Sequence, residues 1–236
     1  MSLLFSNKNI AITLFSTLAL SAISSHALAL EPFQASYQFS YNGKNMGTAT
    51  RTLKQIGGNN WSYVFAAKAG VIASATESST FNLTSGRVTS SHFNRSSKIL
   101  VHNNTLGIQF NPGSKVINTK KDSTARSFAW KSGALDELNA EVQVREDLQT
   151  SGLKTTYLIA DAKGLEPRKF VKVGTENITT PYGTFPTIKV RLEHDKPEKN
   201  TIFWLAPKLD YAPVKVTHND GNSSYGLLMT KYKAGT

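Results

Sequence analysis

The sequence predicts a mainly β protein: a curved antiparallel sheet or half-barrel of about ten to twelve strands, with one helix near residues 134–149. Three observations carry this prediction. From residue 33 onward apolar and polar residues alternate with period two, the mark of strands with one wet face. Clusters of Asn, Gly and Ser interrupt the alternation at short intervals, as hairpin turns do. One stretch, GALDELNAEVQVREDLQTSG, abandons that period for apolar spacings near the helical one.

Taken in order, the chain begins with a secretory signal. Lys8 supplies a positive start, Ile10 to Ile23 is apolar except for Thr and Ser, and Ala27-Leu28-Ala29 has the small-x-small pattern of a cleavage site. The apolar run is too short to cross about 30 Å of hydrocarbon. Cleavage after Ala29 is therefore expected, with residues 30–236 as one β-barrel-like domain in a bacterial periplasm. In FQASYQFSY the residues Phe33, Ala35, Tyr37, Phe39 and Tyr41 share one face. Asn42-Gly43 turns the chain into TATRTLKQI, and Gly57-Gly58-Asn59-Asn60 turns it again into WSYVFAAKA, with Trp61, Tyr63 and Phe65 on one face. ATESSTFNL, RVTSSHFNRS, KILVHN, LGIQFN, TTYLIAD, RKFVKV, FPTIKVRLEH, TIFWLA, APVKVTH and SYGLLMTKY continue the pattern.

The exceptional stretch carries Leu135, Leu138, Val142 and Leu148 as an apolar stripe. Ser132 is positioned to cap its start, Asp136 and Glu137 suit its first turn, and Gly152 suits its end. A lone helix in such a chain is expected to close or enter the barrel and to bury its stripe.

Composition narrows the chemistry. There is no Cys, which excludes disulfides, thiol catalysis and an N-terminal lipid anchor on Cys. The formal charge is +11, or about +10 without Lys8. Lys and Arg are spread along the sequence apart from Lys120-Lys121, so no nucleic-acid partner is expected. The charge reads as solubilising outward strand faces, with peripheral contact to lipid A phosphates, phospholipid headgroups and acidic glycans, the anionic partners of an exported chain, as the alternative.

No catalytic grouping is recognisable. His92, His102, His194 and His218 lack helical metal-ligand spacing, and there is no HExxH, GxSxG or Gly-rich phosphate loop. His218-Asn219-Asp220-Gly221 reads as a hairpin turn, and His194-Asp195 as the start of a solvated loop. No metal and no cofactor is expected. Carboxylates such as Asp136, Glu141, Glu146 and Asp161 keep a glycoside-hydrolase pair open.

The most distinctive motif is FWLAPKLDYAPVKV, residues 203–216. Pro207 ends a strand, Asp210 is placed to bond nearby amides in a turn, and Pro213 restarts the chain at an edge-tolerant position. Together with FQASYQFSYNGKNMGTATRTL, LDELNAEVQVREDL and TPYGTFPTIKVRLE, it resembles the exported bacterial family called domain of unknown function 3108, over nearly the whole mature chain. The resemblance implies a curved sheet or half-barrel like those of periplasmic lipoprotein carriers, and with it a hydrophobic groove. It implies no catalytic residues.

The resulting expectation is a non-enzymatic periplasmic protein that binds an apolar or amphipathic envelope molecule and serves envelope maintenance. Trp204 and Tyr211, with Trp61 and Tyr63, are the candidate ligand-binding residues at the cavity mouth, because amphipathic rings suit such a ligand. The competing readings are a hydrolase acting on envelope glycan or lipid, and a structural partner of an outer-membrane or cell-wall assembly.

Overall fold

A computed structural model describes residues 30–71, 73–194, 196 and 198–235. The expected signal and the expected cleavage site after Ala29 lie outside the described residues. The chain forms β1 (Phe33–Tyr41), β2 (Lys44–Gly57), β3 (Asn60–Ala69), β4 (Ala73–Thr84), β5 (Arg87–Ile99), β6 (His102–Asn111), β7 (Val116–Lys121) and β8 (Thr124–Ala129) as a run of hairpins. Then come β9 (Ala134–Leu135), α1 (Glu137–Gln149), β10 (Tyr157–Ala160) and β11 (Leu165–Arg168). β12 (Phe170–Thr180), β13 (Gly183–Glu193), β14 (Asn200–Ala206), β15 (Ala212–Asn219) and β16 (Ser224–Ala234) complete the chain.

Thirteen strands form one open antiparallel sheet in the order β12-β13-β14-β15-β16-β1-β2-β3-β4-β5-β6-β7-β8. β9, β10 and β11 form a small second sheet, so the strands exceed the ten to twelve expected while the mainly β, single-helix class holds. β1 pairs with both β2 and β16, which brings the two ends of the described chain together in the middle of the sheet. β8 and β12 are its two edges, and everything between them in sequence is a connection from one edge to the other. That connection carries α1, which packs against β3, β4, β5 and β10. The helix fills the hollow of the curved sheet because the chain must cross that hollow to reach the far edge.

Bulges at Ser36/Tyr37, Phe39/Ser40, Gln55/Gly57, Thr80/Phe81 and Trp204/Leu205 interrupt the ladders, and such insertions sharpen the local twist. At Gly47, next to one of them, a Cβ would lie 1.9 Å from the Lys68 carbonyl oxygen, so only glycine fits. Phe33, Ala35, Tyr37, Leu53, Tyr63, Phe81 and Phe93 line the buried face at 2% exposure or less, and with α1 they belong to one continuous core.

The helix departs from expectation in two ways. Ala134-Leu135 is drawn into parallel pairing with β10, so the helix starts later than residue 134 and its cap is Asp136, not Ser132. Asp136 accepts from the Leu138 and Asn139 amides, and the Asn139 side chain reciprocates to the Asp136 amide, a capping box. Gly152 does end the helix, at φ +83, with its amide donating to the Asp147 carbonyl at 2.6 Å.

The second departure is that α1 is buried continuously from Leu138 to Asp147, although most of its residues are polar. Asn139, Gln143 and Asp147 make one polar stripe at i, i+4, i+8. Asn139 donates to Ser90 Oγ, Gln143 takes the Val88 amide and donates to the Gly86 carbonyl, and Asp147 accepts from the Tyr157 hydroxyl. Such bonds contribute about 1 kcal/mol each, and leaving any one partner unpaired costs roughly 1–3 kcal/mol. The helix is thus held in register by its polar groups as well as by Leu138, Ala140 and Val142. Among the described residues no helix is long and apolar enough to cross a membrane.

Candidate functional site

The polar stripe ties one side of α1 to β5 and leaves another, Glu137, Leu138, Glu141 and Val144, facing an open space. This cavity, about 350 Å³, lies between α1, the β10–β11 hairpin and the hollow face of β12–β15. Leu138, Val144, Ile159, Phe170, Phe203 and Leu205 make its apolar walls. The strand register explains the grouping: Phe170 pairs with Leu192, Leu192 with Thr201, and Thr201 with His218, so these four stand in one row across neighbouring strands. Phe203 and Leu205 follow Thr201 at period two on the same face.

At the side nearest the core, Arg51 Nη1 meets Glu141 Oε2 at 2.5 Å and the Tyr63 hydroxyl at 3.0 Å. Tyr63 donates in turn to Glu141 Oε1 at 2.5 Å. Arg51 also stacks over the Phe65 ring at 5.2 Å. Burial works against the Arg51 charge, but Glu141, Tyr63 and Tyr37 together outweigh it, and the guanidinium pKa is raised. Burial likewise raises the Tyr63 pKa, so its hydroxyl stays a proton donor to Glu141.

The rim is polar. Arg95 bridges Glu77, at 2.7 Å, and Glu137. Arg168 pairs with Glu166, and Asp161 Oδ1 accepts the Lys163 and Gly164 amides. His194 Nε2 and His218 Nδ1 lie 2.9 and 2.8 Å from Thr201 Oγ1, with their rings 5.7 Å apart. The hydroxyl has one proton and can donate to at most one of the two rings, so at least one imidazole nitrogen donates to Thr201 Oγ1. Burial lowers the His218 pKa, which favours neutral imidazole there. His194, expected in a solvated loop, is instead part of the rim. Among the described residues no group of three or more His, Asp or Glu is arranged to hold a metal.

The four aromatic residues expected at the mouth are not brought together. Tyr63 reaches the cavity through Arg51 and Glu141, both of which line it. Trp61 lies in the core on the same strand face, displaced toward the β2–β3 turn. Trp204 faces away from the hollow because alternation gives that side to Phe203. Its indole donates to Glu176 at 2.8 Å, and Lys189 and Lys215 lie over its ring at 5.0 and 4.4 Å. Tyr211 follows Asp210 in the β14–β15 connection at the far end, with φ +55.

Asp210 itself serves the helix rather than its own turn. It accepts from Arg145 and from Gln149, and from the Glu31 amide at 3.2 Å. Arg51 had a sequence signal that was passed over: it shares the inward face with Ala49 and Leu53, where a charge demands a partner. Nothing in the sequence pairs it with Glu141.

The model of a family described as "Protein of unknown function (DUF3108)" matches residues 36–230. No curated protein matches the chain. Among solved structures, the chain is similar to the β-barrel-like protein of domain of unknown function DUF1849 from Brucella abortus, at 12% identity and a TM-score of 0.53, over 87% of this chain and 98% of that one. It also matches a candidate exported protein with a YmcC-like fold from Bacteroides fragilis, at 11% identity and a TM-score of 0.34, over 86% and 96% of the two chains. A candidate lipoprotein from Parabacteroides distasonis matches at 12% identity and a TM-score of 0.33, over 86% and 96%. At this identity the Brucella likeness is one of fold, a β-barrel-like sheet.

Proposed function

The chain belongs to the DUF3108 family of proteins of unknown function, and from that premise we propose that it binds an amphipathic small molecule of the cell envelope in the cavity beside α1. The observation that carries the reading is the cavity's mixed make-up: about 350 Å³, with apolar side chains from α1, β10, β12, β13 and β14 beside charged and polar groups such as Arg51, Glu141, Thr201 and His218. That volume is within the range of small-molecule sites. The apolar part of the ligand lies against Leu138, Phe170, Phe203 and Leu205, and its polar end meets Thr201 and the two histidines. Tyr63 holds the polar side of the cavity in shape. Export is part of the reading, with residues 1–29 removed after Ala29 and the product in the periplasm, which N-terminal sequencing of the envelope-extracted protein tests.

Binding is favoured over hydrolysis of glycan or lipid by the state of the carboxylates. Both oxygens of Glu141 are engaged, by Arg51 and by Tyr63, and Asp161 Oδ1 takes two backbone amides, so each carboxylate has a structural role that needs no catalysis. Native mass spectrometry and solvent extraction of protein purified from its own envelope test the reading. A bound amphiphile is expected. A clean mass for the empty protein, together with no uptake of the probe N-phenyl-1-naphthylamine, overturns it.

A further inference from the structure

The strands alternate in direction, so one end of the large sheet carries the connections β1–β2, β3–β4, β5–β6, β7–β8, β13–β14 and β15–β16. The most exposed aliphatic side chains of the described residues are concentrated there. Val71 is 97% exposed, Val101 84%, Leu100 63% and Ile99 59%. They come from two neighbouring hairpins held level by the pairing of Ala73 with Ile99. Tyr41, Met46 and Tyr225 are part-exposed at the same end, and the Tyr41 and Tyr225 rings lie 5.3 Å apart.

Leu100 makes the concentration harder to dismiss as incidental. Its φ is +55, a conformation that suits Asn or Gly, and the turns at Asn42-Gly43 and Ser85-Gly86 use such residues. A leucine at this position adds strain and projects an apolar side chain into water. Around the two hairpins stand the exposed cations Lys44, Lys68, Lys98, Lys120 and Lys121. The acidic group among them, Asp122, is engaged by the Thr105 amide at 2.7 Å. Further round the same end, Lys196 and Lys199 accompany Glu198 and Asp220. Lysines from several separate segments thus stand round these tips.

We infer that this end of the sheet docks on a lipid bilayer bearing anionic headgroups, with Val71, Leu100 and Val101 entering the interface and the flanking lysines meeting the phosphates. Separate tips projecting from neighbouring hairpins need no shape-matched partner. A bilayer interface accepts each tip independently, and anionic lipid supplies the complement to the lysines. Tyrosines beside the tips suit the same boundary. The inference does not depend on what the cavity holds, although His194, Thr201 and His218 place the cavity rim toward this end.

The chain has no Cys, so one introduced thiol labels one position. Val71→Cys, Val101→Cys and Ile56→Cys, the last at the opposite end of the sheet, each carry an environment-sensitive nitrobenzoxadiazole dye on the full chain. Residues 1–29 are common to all three, and each dye reports only its own surroundings. With vesicles of phosphatidylethanolamine and phosphatidylglycerol, a blue shift and intensity gain are expected at 71 and 101 and none at 56. Lys68→Glu with Lys98→Glu is expected to abolish the shift. No shift at 71 and 101, an equal shift at 56, or the same shift on vesicles of phosphatidylcholine alone overturns the inference.

Discussion

Asp210 receives Arg145 twice: Nε donates to its backbone carbonyl at 2.9 Å, and Nη2 to its carboxylate at 2.8 Å. Arg145 is fully buried, and its ring partner is Phe33, 5.1 Å from the guanidinium. The connection between β14 and β15 is therefore a clamp on the C-terminal half of the helix. Its bent backbone, with Asp210 and Tyr211 both at positive φ, is what turns the carboxylate toward α1.

Removing that carboxylate leaves a buried cation with one acceptor. Asp210→Ala is expected to lower stability by about 3–5 kcal/mol, read as the urea midpoint. Asp210→Asn, which keeps one side-chain oxygen, loses less. Equal losses for the two would show that the charge, absent from both, and not the acceptor oxygen is what the clamp supplies.

Arg51 and Glu141 give a second test, at the cavity itself. Either single change, Arg51→Met or Glu141→Leu, leaves the other charge buried and is expected to cost roughly 3–5 kcal/mol. The double variant should recover most of that loss. A double-mutant cycle with no coupling would mean that the pair is solvated in solution.

Glu146 is 5% exposed, and one carboxylate oxygen has no hydrogen-bond partner. Burial, with Asp210 and Asp147 nearby, pushes its pKa up to about 7 from an ordinary 4.5. The folded state thus holds a proton that the unfolded state has released between those two values. This contribution is complete below about 4.5 and is lost as pH rises through 7, an effect of roughly 1–3 kcal/mol. Glu146→Gln should be more stable than the parent at pH 8 and should flatten the decline between pH 5 and pH 8. Urea titrations of both proteins at the two pH values check this.

Leu192 is half-buried at the cavity edge, in the row with Phe170 and Thr201. Leu192→Trp is expected to fill part of the space and weaken N-phenyl-1-naphthylamine binding at least tenfold, about 1.4 kcal/mol or more, with little change in the unfolding midpoint. Unchanged binding would move the ligand elsewhere.

Much of this was legible before any coordinates. Phe33, Tyr37, Trp61 and Tyr63 are inward as period two requires, and the single helix falls where the period changes. Ser132 lost the cap because Ala134-Leu135 pairs with β10, a partner some twenty residues downstream that local reading cannot supply. The chemistry of Trp204 suits a cavity wall, but the side chain stands on the other face, donating to Glu176. Its face depends on which neighbour, Phe203 or Trp204, looks into the hollow, and alternation alone leaves that choice open.

By itself the sequence determined the class: alternation and turn residues act over a few positions, and they are sufficient to specify strands, hairpins and a helix start within a few residues. Tertiary structure decided everything that joins distant segments. It set Arg51 against Glu141 and Asp210 against Arg145, gathered Phe170, Leu192, Thr201 and His218 into one row, and brought the exposed Val71, Leu100 and Val101 together at one end of the sheet. The physical reason is register. A strand carries no record of its partner, and only closure of the sheet around a buried polar helix fixes which side chains must satisfy one another.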